Sequence, residues 1–416
     1  MKIAMITPTI ITRGGETRFL LTLSSRLIKR NHDVTVFTLA YKKGIFDEIA
    51  ADVPIVETGT LPVIREYDRL NMANMWYGAI KLVLTNVRGF DVLHAHNYPA
   101  NNIAAFLSKY QRVPAIWHCN EPNRFLWDAP SLMPESRWVA GVTLGQRSNW
   151  IANFLRTLDR RAVAGLNAVY TISRYERKHF LSVYGVDPVV LYMGVDTSVF
   201  NNRAKGDLVR DALGLGDCPV VLLVSNLGSH KNIGTAISSM VYVKKAVPNA
   251  KMIIVGEGPE RSKLQKHASD LGLCDSVSFL QPRPVGAELY AASDVFVHPA
   301  VDEPWGLAPL EAMACGVPVV VSEAVGMSEV VEEGKTGYIV PPLDVAAYAK
   351  AMTFLLRNSE LRKAMGTRAA SYVTEHLAFE RSLANIEKLY RMVIDGEQIS
   401  NITEGRTEDR HFGVLE

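Results

Sequence analysis

The chain is 416 residues long, 48% hydrophobic and 21% charged, with a formal net charge of +2. That composition is ordinary for a globular protein, and the length supports two or three domains with a core large enough to need neither disulfides nor structural metals. The four cysteines, Cys119, Cys218, Cys274 and Cys315, are scattered without a C-x-x-C pair or a zinc-ligand spacing, which points to free thiols in a reducing, cytoplasmic setting.

The first residues, MKIAMITPTIITRGG, set Lys2 before an apolar run. Pro8 interrupts that run, Arg13 and Gly14 close it, and no small-residue cleavage site follows, so a buried first strand is expected rather than a signal peptide. No apolar stretch approaches the ~20 residues that span a bilayer. Charge is uneven: residues 1–200 hold 23 Lys and Arg against 16 Asp and Glu, whereas residues 201–416 hold 22 against 27. A basic first half suits an anionic acceptor or a lipid surface, and chance imbalance over two large domains explains it equally well.

Strand-like apolar runs alternate with amphipathic helical patterns, the signature of an α/β protein with parallel sheets. In the first half strands are expected at 2–7, 33–38, 91–96, 114–118, 168–173 and 188–192. A polar, turn-rich linker follows, MGVDTSVFNNRAKGD, with 196–207 as its core. The pattern then restarts, with strands at 219–225, 251–256, 277–280, 294–299 and 317–322, and helices alone over 344–394. The domains expected are therefore 1–195 and 208–375, each doubly wound, with a helix at 376–395 returning toward the first domain and a disordered tail at 396–416. Ligands are expected at the carboxyl ends of the strands, in a cleft between the halves.

Three loops at strand ends carry the chemistry. TRGGE at 12–16 sets Gly14 and Gly15 ahead of a helix striped with Phe19, Leu20, Leu23 and Leu27; it is either an anion-binding helix start or a plain turn. NLGSHKN at 226–232 puts Lys231 after a strand, where an ammonium suits a diphosphate or is simply solvated. DEPWGLAPLEAMACGVPVVV at 302–321 places Gly306, Leu307 and Ala308 before a helix whose first turn accommodates Pro309. Glu303 and Glu311 flank that helix start. Sugar hydroxyls would satisfy both carboxylates, while a metal held by Asp302 and Glu303, or dipole complementarity by Glu311, are the alternatives.

The last stretch resembles the E-x7-E motif of retaining nucleotide-sugar glycosyltransferases of family 4. The resemblance spans nearly the whole chain through "FDVLHAHN", "LYMGVDTSVF", "VGEGPERSKL", "LYAASDVFVHPAVDE" and "GMSEVVEEGKTGYIVPP". It implies the GT-B fold: two Rossmann-like doubly wound domains facing a cleft, with the C-terminal helix crossing back. It also assigns roles. Glu303 contacts donor-sugar hydroxyls and Glu311 the ribose, while the backbone at Gly306 and Leu307 approaches the sugar phosphate beside Trp305. Lys231 pairs with the diphosphate opposite Gly14 and Gly15, and His118 in "AIWHCNEP" lies beside the transferred sugar. His118, Glu303 and Lys231 form the catalytic set it implies. Asn226 and Glu257 join the donor side, with Pro282 and Arg283 at the nucleotide base, and Asn97, Arg124 and Ser173 are expected on the acceptor side.

There are departures from the family pattern. Asn226 stands where arginine is expected, five residues before Lys231, and removes one cation from the diphosphate. The usual G-G-x-E reads G-G-E-T, which moves the glutamate to Glu16 and puts Thr17 in its place; Trp305 replaces a commoner phenylalanine, and Gln281 a usual glycine.

The function implied is hexosyl transfer from a nucleotide-diphosphate sugar to a hydroxyl with retention, by a front-face route in which the leaving diphosphate helps accept the proton and no metal or other cofactor is required. GDP-mannose is favoured over the UDP-hexoses by the likeness of HCNEPNRFLWD to mannosyltransferase-like relatives. A glycan or lipid-linked acceptor follows from the basic first half and the aromatic-basic stretch 124–161, with polysaccharide biosynthesis, a peripheral place on the inner membrane face and no nucleic-acid partner. A non-catalytic sugar-nucleotide-binding subunit and a same-fold epimerase are the other readings. A dinucleotide-dependent dehydrogenase is disfavoured, because strand one is not followed by G-x-G-x-x-G.

Overall fold

The structure is a computed structural model that describes residues 1–11, 14–59, 81, 89–127, 149–281 and 286–397, without the side chains of 124–125 and 149–152. It divides into two compact units, one made of Met1–Leu191 with Leu383–Glu416 and the other of Tyr192–Ser382.

The first unit is built on seven parallel strands: β1 (Lys2–Ile10), β2 (Asp33–Tyr41), β3 (Ile55–Glu57), β4 (Val92–His96), β5 (Ala115–Cys119), β6 (Ala168–Thr171) and β7 (Val189–Val190). Their order is β3-β2-β1-β4-β5-β6-β7, so the chain reverses its direction of growth between β1 and β4. A parallel sheet is covered on both faces, which is why β1 carries an unbroken run of fully buried residues from Ile3 to Ile6. The helix Gly15–Lys29 buries Phe19, Leu20, Leu23 and Leu27, the stripe expected from its spacing.

The second unit repeats the plan with β8 (Val220–Val224), β9 (Lys251–Val255), β10 (Val277–Leu280), β11 (Val295–His298), β12 (Val319–Ser322) and β13 (Gly337–Val340) in the order β10-β9-β8-β11-β12-β13. Its reversal lies between β8 and β11. The helix Ile233–Ala246 seats Ile237, Met240 and Val243 in the same core cluster as Val221, Leu223 and Val297 of the sheet.

Several elements differ from expectation. β1 runs through Pro8 to Ile10 because β4 stops pairing at Ile6↔Ala95, leaving no ladder on that side for the missing N–H to break. β7 keeps only two residues. β3 and β13 were not expected; both are short edge strands, and β13 starts at Gly337 inside a turn-rich run. Within 196–207 Phe200 is buried, with its ring 5.9 Å from that of Tyr290.

The last three helices are Val345–Arg357, Ser359–His376 and Phe379–Asp395. From Leu383 onward the chain belongs to the first unit. There Glu387 accepts from Arg30 Nη1 at 2.7 Å and pairs with His32 Nε2 at 2.9 Å, and the Tyr390 hydroxyl meets His94 Nδ1 at 2.7 Å. The tail expected to be disordered lies outside the described residues from 398 on. Among the described residues no helix is long and apolar enough to cross a membrane.

Candidate active site

Doubly wound sheets bind ligands at the carboxyl ends of the strands flanking the reversal. In the second unit these are the loops after β8 and β11. Asn232 locks the first onto the second: its side-chain amide donates to the Pro299 carbonyl at 3.0 Å and to the Pro342 carbonyl at 2.6 Å. With a left-handed φ of 51° it also begins the helix Ile233–Ala246 and accepts from Thr235 Oγ1 at 2.9 Å. Lys231, one residue earlier, thereby reaches across to Glu303.

The Lys231 ammonium lies 2.8 Å from Glu303 Oε1, and His298, the last residue of β11, bonds Glu303 Oε2 through Nε2. Burial works against charge on Glu303, but the Lys231 cation and His298 outweigh it and hold the carboxyl well below its ordinary range. His298 is itself buried, and its Nδ1 has no partner among the described residues.

Glu311 sits in the helix Leu307–Ala314, is buried, and accepts the Tyr290 hydroxyl at 2.5 Å. No side chain caps this helix. Gly306 ahead of it has φ +115°, a backbone that side-chain-bearing residues rarely adopt, and an added Cβ would stand 3.2 Å from Pro309 Cγ. Trp305 is turned inward: its indole donates to the Met193 carbonyl at 3.0 Å and stacks on Tyr192 at 5.0 Å. Asn226 is exposed, and Glu257 pairs with Arg261 at 3.4 Å on the surface. Pro282 and Arg283 lie outside the described residues.

In the first unit β4 and β5 end in histidines that face each other in register, His96↔His118. Both are fully buried, with their Nδ1 atoms 3.1 Å apart. His118 also stacks on Tyr170, 4.8 Å between centroids, and Tyr170 bonds His94 Nε2 at 3.0 Å. Burial lowers His118 to about 3, with Asn120 opposing, and lowers His94 and His96 as well; all three rings are neutral at physiological pH. Gly14 precedes the helix Gly15–Lys29 with an extended φ of −116°, and a Cβ there would meet nothing. Neither backbone nor packing therefore demands glycine at that position. Asn97 follows β4 with φ 64°. Ser173 caps the helix Arg174–Tyr184 by accepting from the Glu176 N–H at 3.0 Å. The Arg124 side chain lies outside the described residues.

The sequence reading thus named Lys231 and Glu303, which the structure brings together, and missed His298, His96 and Asn120. Each of the missed residues stands at or just past the carboxyl end of a strand, a position legible in "VFVHP", "LHAHN" and "WHCN".

Residues 208–372 match the model of "Glycosyl transferases group 1" and residues 13–199 that of "Glycosyltransferase Family 4". The chain is 34% identical over 271 residues to the GDP-mannose-dependent alpha-(1-6)-phosphatidylinositol monomannoside mannosyltransferase of Mycolicibacterium smegmatis, covering 61% of this chain and 70% of that one. It is 30% identical over 315 residues to the N-acetyl-alpha-D-glucosaminyl L-malate synthase of Bacillus anthracis, with 75% and 77% covered. Among solved structures, Anabaena Alr3699/HepE in complex with UDP and glucose superposes with a TM-score of 0.76 at 21% identity, covering 94% of this chain and 99% of that one. WaaG, a glycosyltransferase involved in lipopolysaccharide biosynthesis, gives 0.69 at 17% identity, covering 95% and 100%. The chain belongs to glycosyltransferase family 4 and carries the GT-B fold.

Proposed function

We propose that this glycosyltransferase moves a hexose from a nucleotide-diphosphate sugar to an acceptor hydroxyl with retention of configuration. The observation that carries the reading is the Lys231–Glu303–His298 group at the reversal point of the second sheet. A carboxylate kept ionised there is a strong acceptor for sugar hydroxyls, and Lys231 supplies the cation for the diphosphate. Glu311, oriented by Tyr290, takes the ribose; the backbone at Gly306 and Leu307 meets the phosphates. Gly14 and Gly15, at the start of the helix after β1, also meet the phosphates in this reading. Asn226, Glu257, Pro282 and Arg283 complete the donor side, with Trp305 holding its loop in place. Neutral His118 lies beside the transferred sugar, and Asn97, Arg124 and Ser173 serve the acceptor.

In the reaction a bond forms between the acceptor oxygen and the anomeric carbon while the carbon–phosphate oxygen bond breaks. The electron pair and the acceptor proton both go to the leaving diphosphate, whose charge Lys231 and the helix-start amides stabilise, so the route needs no metal.

GDP-mannose is the first donor to test, because the mycolicibacterial relative is named for it; UDP-hexoses are tested next. That relative's phosphatidylinositol-linked substrate supports a lipid-linked acceptor, met at the inner face of a membrane. Thermal-shift screening of GDP-mannose, UDP-glucose, UDP-galactose and UDP-N-acetylglucosamine, followed by NMR of the product's anomeric proton, tests the reading. One donor should stabilise the protein and give the retained anomer. No stabilisation by any of the four, or an inverted product, would overturn it.

A further inference from the structure

Six polar side-chain atoms in the first unit are buried and lack a hydrogen-bond partner among the described residues: Glu16 Oε1, His96 Nε2, Gln111 Oε1, Trp117 Nε1, His118 Nε2 and Asn120 Oδ1. Four of the six, those of Glu16, His96, His118 and Asn120, stand together. Glu16 opens the helix after β1, His96 ends β4, and His118 and Asn120 end and follow β5, so all four gather at the reversal point of the first sheet. The Asn97 and Asn120 side chains bond to the Glu16 carboxyl, and His96 bonds His118. Phe19 and Tyr170 wall the group, edge-on to His118 at 5.3 Å and stacked on it at 4.8 Å.

Buried polar atoms are almost always paired, and a cluster of unpaired ones at a sheet's ligand-binding edge marks where a polar ligand supplies the partners. Its chemistry follows from the atoms. Glu16 Oε1 and Asn120 Oδ1 both accept, so the ligand must offer at least two neighbouring donors. Burial raises the Glu16 carboxyl to about 7, against the pull of Asn97 and Asn120 and with a push from Glu121, and the two histidines are neutral. Such a surface suits an uncharged vicinal diol better than a cation or an anion.

We propose that Glu16, Asn120 and His118 form a recognition site for two adjacent hydroxyl groups of the acceptor, with Glu16 Oε1 holding the hydroxyl next to the one that reacts. The proposal rests on the transferase reading above. It makes Glu16, displaced by one position from the family's usual glutamate, a specificity-determining residue.

The test uses the full chain, the nucleotide sugar that stabilises it, and two small alcohols as probes: glycerol, a vicinal triol, and 2-propanol, which has a single hydroxyl. Glycosides are separated and quantified by mass spectrometry, and donor affinity is measured by calorimetry. The wild type should favour glycerol by about tenfold, because a site built for a hydroxyl rejects an analogue that lacks it. In Glu16→Ala and Asn120→Ala that ratio should fall to near one with donor affinity retained. Glu16→Gln, which keeps an accepting oxygen at the same volume, should preserve most of the preference, a rescue that a purely structural role would not give. An unchanged ratio in Glu16→Ala overturns the proposal, as does a wild type that takes both alcohols equally or neither. A wild type that binds no nucleotide sugar overturns the transferase reading itself, before the alcohols are compared.

Discussion

At the scale of single residues, Lys231 and Glu303 form a largely buried ion pair in the proposed donor site. Their side chains are 11% and 17% exposed, so removing one leaves the other charge largely buried. Lys231→Met should cost about 3 kcal/mol, measured by urea unfolding, and lower donor turnover by about 10²–10³-fold. The double variant Lys231→Met with Glu303→Gln should recover part of the stability and none of the turnover, which separates the two roles. Glu16 gives a prediction of opposite sign. Its carboxyl is raised from 4.5 to about 7, so the fold favours the protonated form; that contribution is full below pH 4.5 and is lost as pH climbs to about 7. The neighbours facing it do not titrate with it as histidines normally would, because His96 and His118 are already neutral there; Glu121 adds to the upward push and the Asn97 and Asn120 amides oppose it. Melting temperatures of the wild type and Glu16→Gln should therefore diverge between pH 5 and pH 8, with the variant gaining as pH rises.

At the scale of elements, loops are held by single polar residues that tie strand ends together. Asn232 joins two carbonyls from separate loops to the start of its own helix, and Asn232→Ala should cost about 2–3 kcal/mol as those bonds are lost. Lys231 then loses its placement, so donor affinity by calorimetry should weaken with it. Asp159 does comparable work in the first unit, buried and accepting from Asn101, Trp127 and Tyr184 at 2.9, 2.8 and 2.7 Å. Periodicity revealed the central strands because burial on both faces demands continuous apolar runs, as in β1 and β8. It was silent on β3 and β13, where three half-exposed residues and a Gly-led tetrapeptide carry no period to read. Candidate site residues were legible where a motif spans them, as with Glu303 and Glu311. His298 and Asn120 were hidden because their significance lies in which strand ends become neighbours, and strand order is a property of the fold rather than of local text.

At the scale of the whole molecule, the helix Phe379–Asp395 leaves the second unit at Ser382 and finishes in the first. Its Tyr390 hydroxyl reaches His94, which bonds Tyr170, on which His118 stacks. Tyr390→Phe should therefore reduce transfer several-fold while leaving nucleotide-sugar affinity unchanged, measured by steady-state assay and calorimetry side by side. The first unit is consequently assembled from two pieces of chain separated by the entire second unit. On the ribosome, where segments emerge in order and domains settle as they become complete, the unit begun first is the one completed last. A polypeptide halted just short of Leu383 would carry a fully synthesised second unit and a first unit whose buried His94 still lacks its Tyr390 partner.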